Sequence, residues 1–469
     1  MNRAVICLEK FKSVGLNGSM LLRKTAKLSI VGISFALALI LSIGFASGAF
    51  SVPMAAQKRQ VTLTAILDDQ GDPQRAMKMW FQPALTELRA RHPDIDIKLD
   101  YRPIPYLNLH TQLLKTIANQ TPVDFITLDQ IWLGEFVQKG FLTELTSRIQ
   151  SWGRQSDWYP ASWAAGLYNH KVYGINPYGD IRGMWYWKDL LNKTGVDPNS
   201  LRTWDGYIAS AKKMNTILRP QGIEAVHLVG VGHSPDIEFY PYLWMLGGEI
   251  VKQKTGHPTK GTYWFPAFNG TAGVKALGFI KAQIDAGVKP QRQHFWGQEF
   301  LDRKFAVMLE AVQNHVHLNT TEQKQAFERN VGFFPMFPVP NLSYHSATLL
   351  GGFEFSIPQT SRNKDLAWEL TTIILEPKIM IPYHVKYGLL PSQISIGNGP
   401  YAALLNQTIP YYDQLISMLS IGRTRPNIPE YPLIAEDIRQ AIEQIYNGTK
   451  EPKQALDEAA TKSAKALGW

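Results

Sequence analysis

The sequence predicts an α/β fold in which mainly parallel sheets carry helices on both faces. Short runs of β-branched and apolar residues alternate with segments of helical periodicity along most of the chain, the pattern of β–α–β units. The chain has 469 residues, which is long for a single hydrophobic core. No low-complexity linker or internal repeat divides residues 58–469. The length therefore favours two or three units, or one large two-lobed body.

Each element follows from a local pattern. The strand at 61–67 alternates apolar and polar residues, and the strand at 123–129 is an apolar run ending in Asp129. The helix at 73–91 has apolar residues at helical spacing, and Thr203 is placed to cap the helix that follows it. The predicted strands are 61–67, 95–101, 123–129, 225–232, 304–310, 331–340 and 349–358. The predicted helices are 73–91, 107–119, 203–217, 239–248, 270–287, 363–377, 432–448 and 451–467.

The ends of these strands indicate where a ligand would bind. In parallel α/β sheets, ligands lie beyond the carboxyl ends of the strands. Asp129, the loop after Leu67 and the loop after Gly232 all have this position. The sequence therefore predicts a site at that edge.

The N-terminal region carries an export signal. Residues 28–50 are uncharged, apolar and long enough to span a bilayer, with basic residues before them and small residues at their end. We expect a protein at the extracellular face of the membrane or in the periplasm, with residues 1–57 as signal or anchor. Cleavage and retention both stay open, and Met20 is the expected start of translation.

Composition narrows the choice of partners. The formal net charge is +9, but six of the basic residues precede Lys58 and no dense basic run follows, so a nucleic-acid partner is not expected. Cys7 is the sole cysteine, which excludes a disulfide within the chain and a multi-cysteine metal site. Asn-x-Ser/Thr motifs suggest a glycosylated exterior. They begin at Asn17, Asn119, Asn192, Asn269, Asn319, Asn341, Asn406 and Asn447.

Enzyme signatures are weak. GHSPD at 232–236 resembles a nucleophile elbow, but Asp236 replaces the final glycine. His315 and His317 have no carboxylate cluster nearby in sequence, and HExxH, phosphate-loop and GxGxxG motifs are absent. We therefore expect no catalytic residue, metal or cofactor. A secreted hydrolase remains an alternative, because paired glycosidase carboxylates cannot be read from sequence.

Eight blocks in order resemble the extracellular solute-binding proteins of ABC importers, in the maltose/oligosaccharide group. The blocks are PVDFITLDQIWLGEFVQKGFLTEL, KVYGINPYGDIRGMWYWKDLLNKTGVDP, LRTWDGYIASAKKM, FLDRKFAVMLE, GFFPMFPVP, LLGGFEFSIPQTSRNKDLAWEL, GLLPSQ and RPNIPEYPLIAEDIRQAIEQIYNGTKEPKQALDEA. No single block is specific, but their order over about 400 residues is.

The resemblance implies a two-lobed periplasmic-binding-protein-like fold of type II, with ligand held between the lobes and a permease as partner. It places lobe 1 at 58–180 plus 332–357 and lobe 2 at 181–331 plus 358–469. The chain would cross between lobes near 178–183 and again near 330–333.

The resemblance also implies a set of ligand-binding residues. Aromatic rings stack on the flat faces of sugars, while carboxylates and arginines hydrogen-bond the hydroxyls. The implied residues are Asp69, Asp129, Trp132, Asp180, Arg182, Trp185, Tyr240, Trp244, Phe353 and Glu354.

Structural roles compete with several of these assignments. Asp180 could instead be a hinge carboxylate paired with Arg182, and Asp69 could cap the next helix. Trp185 and Trp244 could fill the core, the commoner place for any single aromatic residue. In a strand, Tyr186 would lie opposite Trp185.

Three departures from the family pattern put a maltose-like pocket in doubt. Ala311 and Gln313 replace a glycine and a tryptophan, and Ala435 stands near the place of another stacking tryptophan. The ligand could be smaller or differently shaped. The alternatives to a sugar are a polyamine, held by acids that include Asp68, and a glycerol phosphate, held by arginines that include Arg423.

Overall fold

The parallel strands predicted at the start of the body form the first sheet of the computed structural model, which describes residues 58–69, 71–228, 239–291 and 297–469. The export segment, Cys7, Asn17, the loop after Gly232 and the GHSPD motif lie outside these residues. The strands are β1 Arg59–Asp68, β2 Ile95–Ile104, β3 Phe125–Asp129, β4 Leu167–Tyr168, β5 Lys171–Val172, β6 Tyr178–Ile181, β7 Gly183–Trp187, β8 Glu224–Val226, β9 Val251–His257, β10 Gly261–Pro266, β11 Phe305–Glu310, β12 Val331–Phe334, β13 Thr348–Gly351, β14 Phe353–Ser356, β15 Leu390–Pro391 and β16 Gly422–Arg423.

The helices confirm most of the predicted positions, with ends displaced by a few residues. They are α1 Gln82–Arg91, α2 Tyr106–Ala118, α3 Leu133–Gln138, α4 Thr146–Trp152, α5 Pro160–Ala165, α6 Lys188–Thr194, α7 Trp204–Leu218, α8 Tyr240–Met245, α9 Thr271–Asp285, α10 Gln298–Leu301, α11 Thr321–Asn330, α12 Lys364–Ile374, α13 Pro377–Tyr387, α14 Ile394–Gly397, α15 Ala402–Thr408, α16 Tyr412–Met418, α17 Tyr431–Tyr446 and α18 Pro452–Ala466. Within the described ranges, no helix is long and apolar enough to cross a membrane.

The first sheet has the order β14-β3-β1-β2. β1 runs parallel to β2 and β3, and β14 joins the edge antiparallel to β3. In that last pairing Phe353 lies opposite Asp129. A return strand therefore delivers an aromatic residue to the end of β3, where the sequence predicts a site.

The second sheet is mixed rather than mainly parallel. Its order is β12-β7-β11-β8, with β7 antiparallel to both neighbours and β11 parallel to β8. A third sheet, β15-β6-β13-β16, lies at the crossover of the chain. Arg182 separates β6 in the third sheet from β7 in the second, so it lies where the chain passes between them.

The C-terminal helices pack against two different cores. Helix α12 contacts α1, and α13 contacts the helical turn Met77–Phe81 that precedes α1. Helices α17 and α18 pack on α9, in the core that contains α7 and α8. This packing differs from the predicted boundary at residue 358 and favours moving α12 and α13 to the first lobe. The lobe division itself remains a prediction.

One predicted strand is divided in the structure, and one predicted helix ends earlier than expected. The strand expected at 349–358 becomes β13 and β14 in different sheets, because Gly352 has a φ of +130°. The helix expected at 363–377 ends before Pro377, which begins α13, since the residue before a proline avoids the helical conformation.

Candidate functional site

Asp129 is at the carboxyl end of β3, where burial and hydrogen bonds fix its carboxylate. One oxygen accepts a hydrogen bond from the Tyr106 hydroxyl at 2.8 Å, and the other accepts from the Ile131 backbone N–H at 3.2 Å. The guanidinium of Arg425 lies 3.5 Å from the same carboxylate. Asp129 is therefore a held anion with a cation beside it.

Aromatic rings surround this aspartate. Tyr106 and Trp132 are stacked, with ring centres 5.6 Å apart, and Phe353 meets Tyr106 edge-on at 6.1 Å. Trp132 is nearly buried, whereas Phe353 is partly exposed. This part of the site can present an apolar face beside a hydrogen-bonding acid, as a sugar ring requires.

A second acid centre lies at the crossover. Nη2 of Arg182 lies 3.0 Å from Asp180, and its Nε lies 2.8 Å from the fully buried Glu310. The Asn314 amide donates to Asp180 at 3.2 Å. Burial raises the pKa of Glu310 to about 7, although Arg182 acts in the opposite direction and Asp180 adds to the rise. Arg182 is thus shared by two acids.

Gly351 lies where the two centres meet. A Cβ atom at this residue would lie 3.5 Å from Asp180 Oδ2, 3.6 Å from Arg182 Nη1 and 3.7 Å from Arg425 Nη2. We call Asp129, Asp180, Arg182, Arg425 and Gly351 together the charged floor. The backbone of β13 therefore brings together groups from β3, β6 and the segment after β16.

Glu354 lies behind Asp129 and is fully buried. Its Oε1 accepts from the Asn176 amide at 3.1 Å, while Oε2 has no hydrogen-bond partner within the described part of the chain. Burial raises the pKa of Glu354 to about 8; the Asn176 hydrogen bond opposes the rise and Asp129 adds to it. A carboxyl with no exposure cannot touch solute in this arrangement, so the structure does not support the contact predicted for Glu354.

Three predicted aromatic contacts are also core positions in the structure. Trp185 is 0 % exposed, donates to the Glu310 carbonyl at 2.9 Å and packs on Phe333 with ring centres 4.4 Å apart. Tyr240 is 0 % exposed and Trp244 is 6 % exposed, and their rings contact each other in the second core. In this arrangement the three rings pack in the cores, and their predicted stacking roles stay predictions.

The strand alternation predicted around Trp185 is confirmed. Trp185 faces one core, while Met184 and Tyr186 belong to the other. Trp187 stacks on Phe300 at 5.3 Å and is covered by the Arg303 guanidinium. All three consecutive rings of the crossover are structural.

Asp69 is a partly exposed loop residue. Its carboxylate accepts the Gly71 N–H at 3.0 Å, and its own N–H donates to the Ile104 carbonyl at 3.0 Å. This geometry fits the alternative of a turn-forming acid. The charged floor instead takes its acids from Asp129 and Asp180.

Sequence reasoning missed Tyr106, Arg425 and Glu310. Tyr106 is the first residue of α2, and its hydrogen bond to Asp129 joins that helix to the end of β3. Arg425 precedes the PNIP segment that the resemblance did quote, so its position, though not its partner, was recognisable. For Glu310 the sequence indicated only that it ends a buried strand and gave no sign of its contact with Arg182.

The described residues form no metal-binding cluster. Among those residues, no group of three or more His, Cys, Asp or Glu side chains is placed to hold a metal ion.

Comparisons with known proteins agree with the fold. Residues 72–381 match the family described as Bacterial extracellular solute-binding protein. The galactooligosaccharide-binding protein of Bacillus subtilis is 23% identical over 378 residues, covering 78% of this chain and 82% of that protein.

Two solved structures have the same architecture. The cyclic alpha-maltosyl-1,6-maltose binding protein of Arthrobacter globiformis superposes with a TM-score of 0.69 at 23% identity, covering 87% of this chain and 99% of that one. A solute-binding protein of Thermotoga lettingae, bound with alpha-D-tagatose, has a TM-score of 0.70 at 19% identity and covers 88% and 100%. The periplasmic-binding-protein-like fold is thereby confirmed, and the family is one of binding proteins rather than enzymes. The chain belongs to the bacterial extracellular solute-binding proteins.

Proposed function

We propose that this protein is the solute-binding component of an ABC importer and that its charged floor binds a neutral, hydroxylated solute, a sugar or small oligosaccharide. The observation that carries the proposal is the pairing of charges. Asp129 has Arg425 beside it, and Asp180 has Arg182. Such a floor offers hydrogen-bond donors and acceptors with little net charge, which suits hydroxyl groups better than an ion.

The rings beside Asp129 support the same solute class. Tyr106 and Trp132 form a stacked pair, and the partly exposed Phe353 closes one side. Relatives named above bind galactooligosaccharide, cyclic maltosyl-maltose and tagatose, all of them carbohydrates. The residues proposed to contact solute are therefore Asp129, Asp180, Arg182, Arg425 and Phe353, with Trp132 as their support.

The alternatives fit the floor less well. A polyamine needs unpaired acids, but both floor aspartates already lie beside guanidinium groups. A glycerol phosphate needs an available cation, but Arg182 also lies 2.8 Å from Glu310. Export, tethering through residues 28–50 and delivery of solute to a permease complete the proposed function.

A thermal-shift screen of the full-length protein tests the proposal. The panel contains maltose, a galactooligosaccharide, D-tagatose, spermidine and glycerol 3-phosphate. A solute present at a hundred times its Kd stabilises the folded state by about 2.7 kcal/mol, so we expect a sugar to raise Tm. The Asp180→Asn variant should lose about half of that rise, as expected for about a 10-fold weaker affinity, while the exposed control Asp189→Asn should keep all of it. Shifts from spermidine or glycerol 3-phosphate alone would overturn the sugar assignment.

A further inference from the structure

A cavity outside the charged floor lies between two β-hairpins. One wall is the hairpin of β4 and β5, and the other is the ribbon of β9 and β10. The loop 426–429 closes the base, and the cavity volume is about 380 Å³. That volume is within the range of small-molecule sites, at its lower end.

The cavity lining combines rings with amides. Tyr168, Tyr263 and Trp264 are partly exposed aromatic residues of the lining. Tyr263 and Trp264 are consecutive in β10, so their rings lie on opposite sides of the ribbon, and Trp264 shares a side with its β9 partner Gln253. Asn169 and Gln253 add side-chain amides, which both donate and accept hydrogen bonds. None of the described residues that line the cavity is Asp, Glu, Lys or Arg.

The tip of the first hairpin has an unusual backbone. Asn169 and His170, its two turn residues, have φ values of +47° and +64°. Asparagine is common in the first position of such a turn, but glycine is the usual second residue. A side chain held at positive φ has an energetic cost, and such positions concentrate at functional sites. Here the cost places an imidazole ring on the rim of the cavity.

The second wall is fixed by the rest of the molecule. The Tyr263 hydroxyl donates to the Glu430 carboxylate at 3.0 Å, and the Trp264 carbonyl accepts from the Trp469 indole N–H at 2.7 Å. Asn427, at the base, donates to the Leu167 carbonyl at 2.9 Å. These hydrogen bonds fix the positions of Tyr263, Trp264 and Asn427 in the lining.

We propose that this cavity is a second binding site for a neutral, ring-shaped, hydroxylated solute, a single sugar ring or a disaccharide end. The rings would stack on its apolar face, and the amides of Asn169 and Gln253 would bond its hydroxyls. No described lining residue is charged, and the Glu430 carboxylate and Lys260 ammonium beside Tyr263 lie 3.7 Å apart as a pair, which favours a neutral solute. The cavity shares no residue with the charged floor but adjoins it, because Pro426 follows Arg425 and Asn427 accepts a hydrogen bond from Gln130, the neighbour of Asp129.

Equilibrium dialysis of full-length protein tests the second site. The probes are labelled maltose and labelled D-glucose at millimolar concentration. The wild type should bind one molecule more than Trp264→Ala, or the affinity of that molecule should fall at least ~10-fold in the variant. Tyr168→Ala, on the opposite wall, should have the same effect. The control Trp163→Ala, a partly exposed tryptophan elsewhere, should bind like the wild type.

The outcome can be separated from that of the proposed function. Asp180→Asn alters only the charged floor, so in that variant the molecule lost with Trp264→Ala should still bind. A second result separates the two proposals. If Asp180→Asn does not change maltose binding but Trp264→Ala still binds one molecule fewer than the wild type, the second site is supported and the floor assignment is not. Equal binding of both probes to wild type, Trp264→Ala and Tyr168→Ala, with all three folded by circular dichroism, would overturn the second site.

Discussion

Each of the two acid centres of the charged floor pairs an aspartate with a buried glutamate close by. The centres differ in whether that glutamate has an arginine as its partner. At the crossover, Arg182 contacts both Asp180 and the buried Glu310. At the end of β3, Arg425 reaches Asp129, while the buried Glu354 has the neutral Asn176 amide as its hydrogen-bond donor. One centre is an acid–arginine–acid triad, and the other is an ion pair in front of an acid with no arginine of its own.

The difference appears in the two glutamates. Both are fully buried, and burial is the largest cause of the raised pKa in each. Arg182 opposes that rise for Glu310, whose pKa is about 7, whereas the pKa of Glu354 is about 8. A guanidinium at 2.8 Å thus offsets only part of the cost of removing a carboxylate from water. The first centre should depend on its cation, and the second on pH.

Replacing Arg182 by methionine should give the largest effect. The change leaves Glu310 buried without its cation, which typically costs about 3–5 kcal/mol of folding free energy. The loss should be greater at pH 8 than at pH 5, because protonation of Glu310 removes the uncompensated charge. Urea denaturation at both pH values measures it.

Two matched variants sharpen this test. Arg303→Met removes an exposed ion pair with Asp189 and should cost about 0–1 kcal/mol. The double variant Arg182→Met, Glu310→Gln should recover much of the loss. A loss of equal size for Arg182→Met and Arg303→Met would show that the burial of the triad has no energetic consequence.

The pH dependence of Glu354→Gln should be the next largest effect. The pKa of Glu354 is raised in the folded state from 4.5 to about 8, so the folded protein binds the proton more tightly than the unfolded chain. Its contribution to stability is therefore fully present below pH 4.5 and is lost as pH rises through about 8. Between those limits the wild type should lose about 2–4 kcal/mol relative to Glu354→Gln.

Glu310→Gln is the comparison for this prediction. Its pKa is about 7, so the corresponding change should end at lower pH and be smaller. Unfolding free energies from urea titrations at pH 5, 6, 7 and 8 give both curves. Parallel curves for wild type and Glu354→Gln would rule out a raised pKa for Glu354.

Most of the strands and helices were predictable because the spacing of apolar residues along the chain follows which side of each element is buried. Strands β1, β2 and β3 and helices α7, α9, α17 and α18 lie where alternation or helical spacing placed them. The elements whose bounds differ from the prediction do so at single residues that impose a particular backbone conformation. Gly352 divides one predicted strand between two sheets through its positive φ, and Pro377 begins a new helix where the predicted one was expected to end.

The site was less predictable because its groups meet only through tertiary structure. Asp129 was recognisable from its place at a strand end, but Arg425 comes from almost three hundred residues later in the chain. For Trp185 the sequence left two positions open, the cleft and the core, for a related reason. Local sequence cannot tell an aromatic residue that faces a cleft from one that faces the core, and β7 has sheet neighbours and packed rings on both faces.

Replacing the two floor aspartates one at a time by asparagine compares how much each centre contributes to sugar affinity. If the proposed function is right, Asp180→Asn and Asp129→Asn should each weaken sugar binding by about 10-fold, the loss of one charge-assisted hydrogen bond. Asp180→Asn should lower Tm only modestly, because Arg182 keeps its 2.8 Å contact with the buried Glu310. Calorimetry with the sugar identified by thermal shift measures both. Unchanged affinity in either variant would remove that aspartate from the site.

The smallest expected effect isolates the hydrogen bond that distinguishes Asp129 from Asp180. Tyr106→Phe removes the 2.8 Å bond to the Asp129 carboxylate but keeps the ring that stacks on Trp132. A hydrogen bond to a charged group contributes about 1.5–3 kcal/mol to stability. Because Arg425 and the Ile131 N–H still contact the carboxylate, we expect the free energy of unfolding to fall by about 1 kcal/mol. Tyr106→Ala should cost more, since it also removes the stacked ring. If the two variants lose equal stability in urea denaturation, the ring has no separate role and the hydroxyl alone holds this end of the floor.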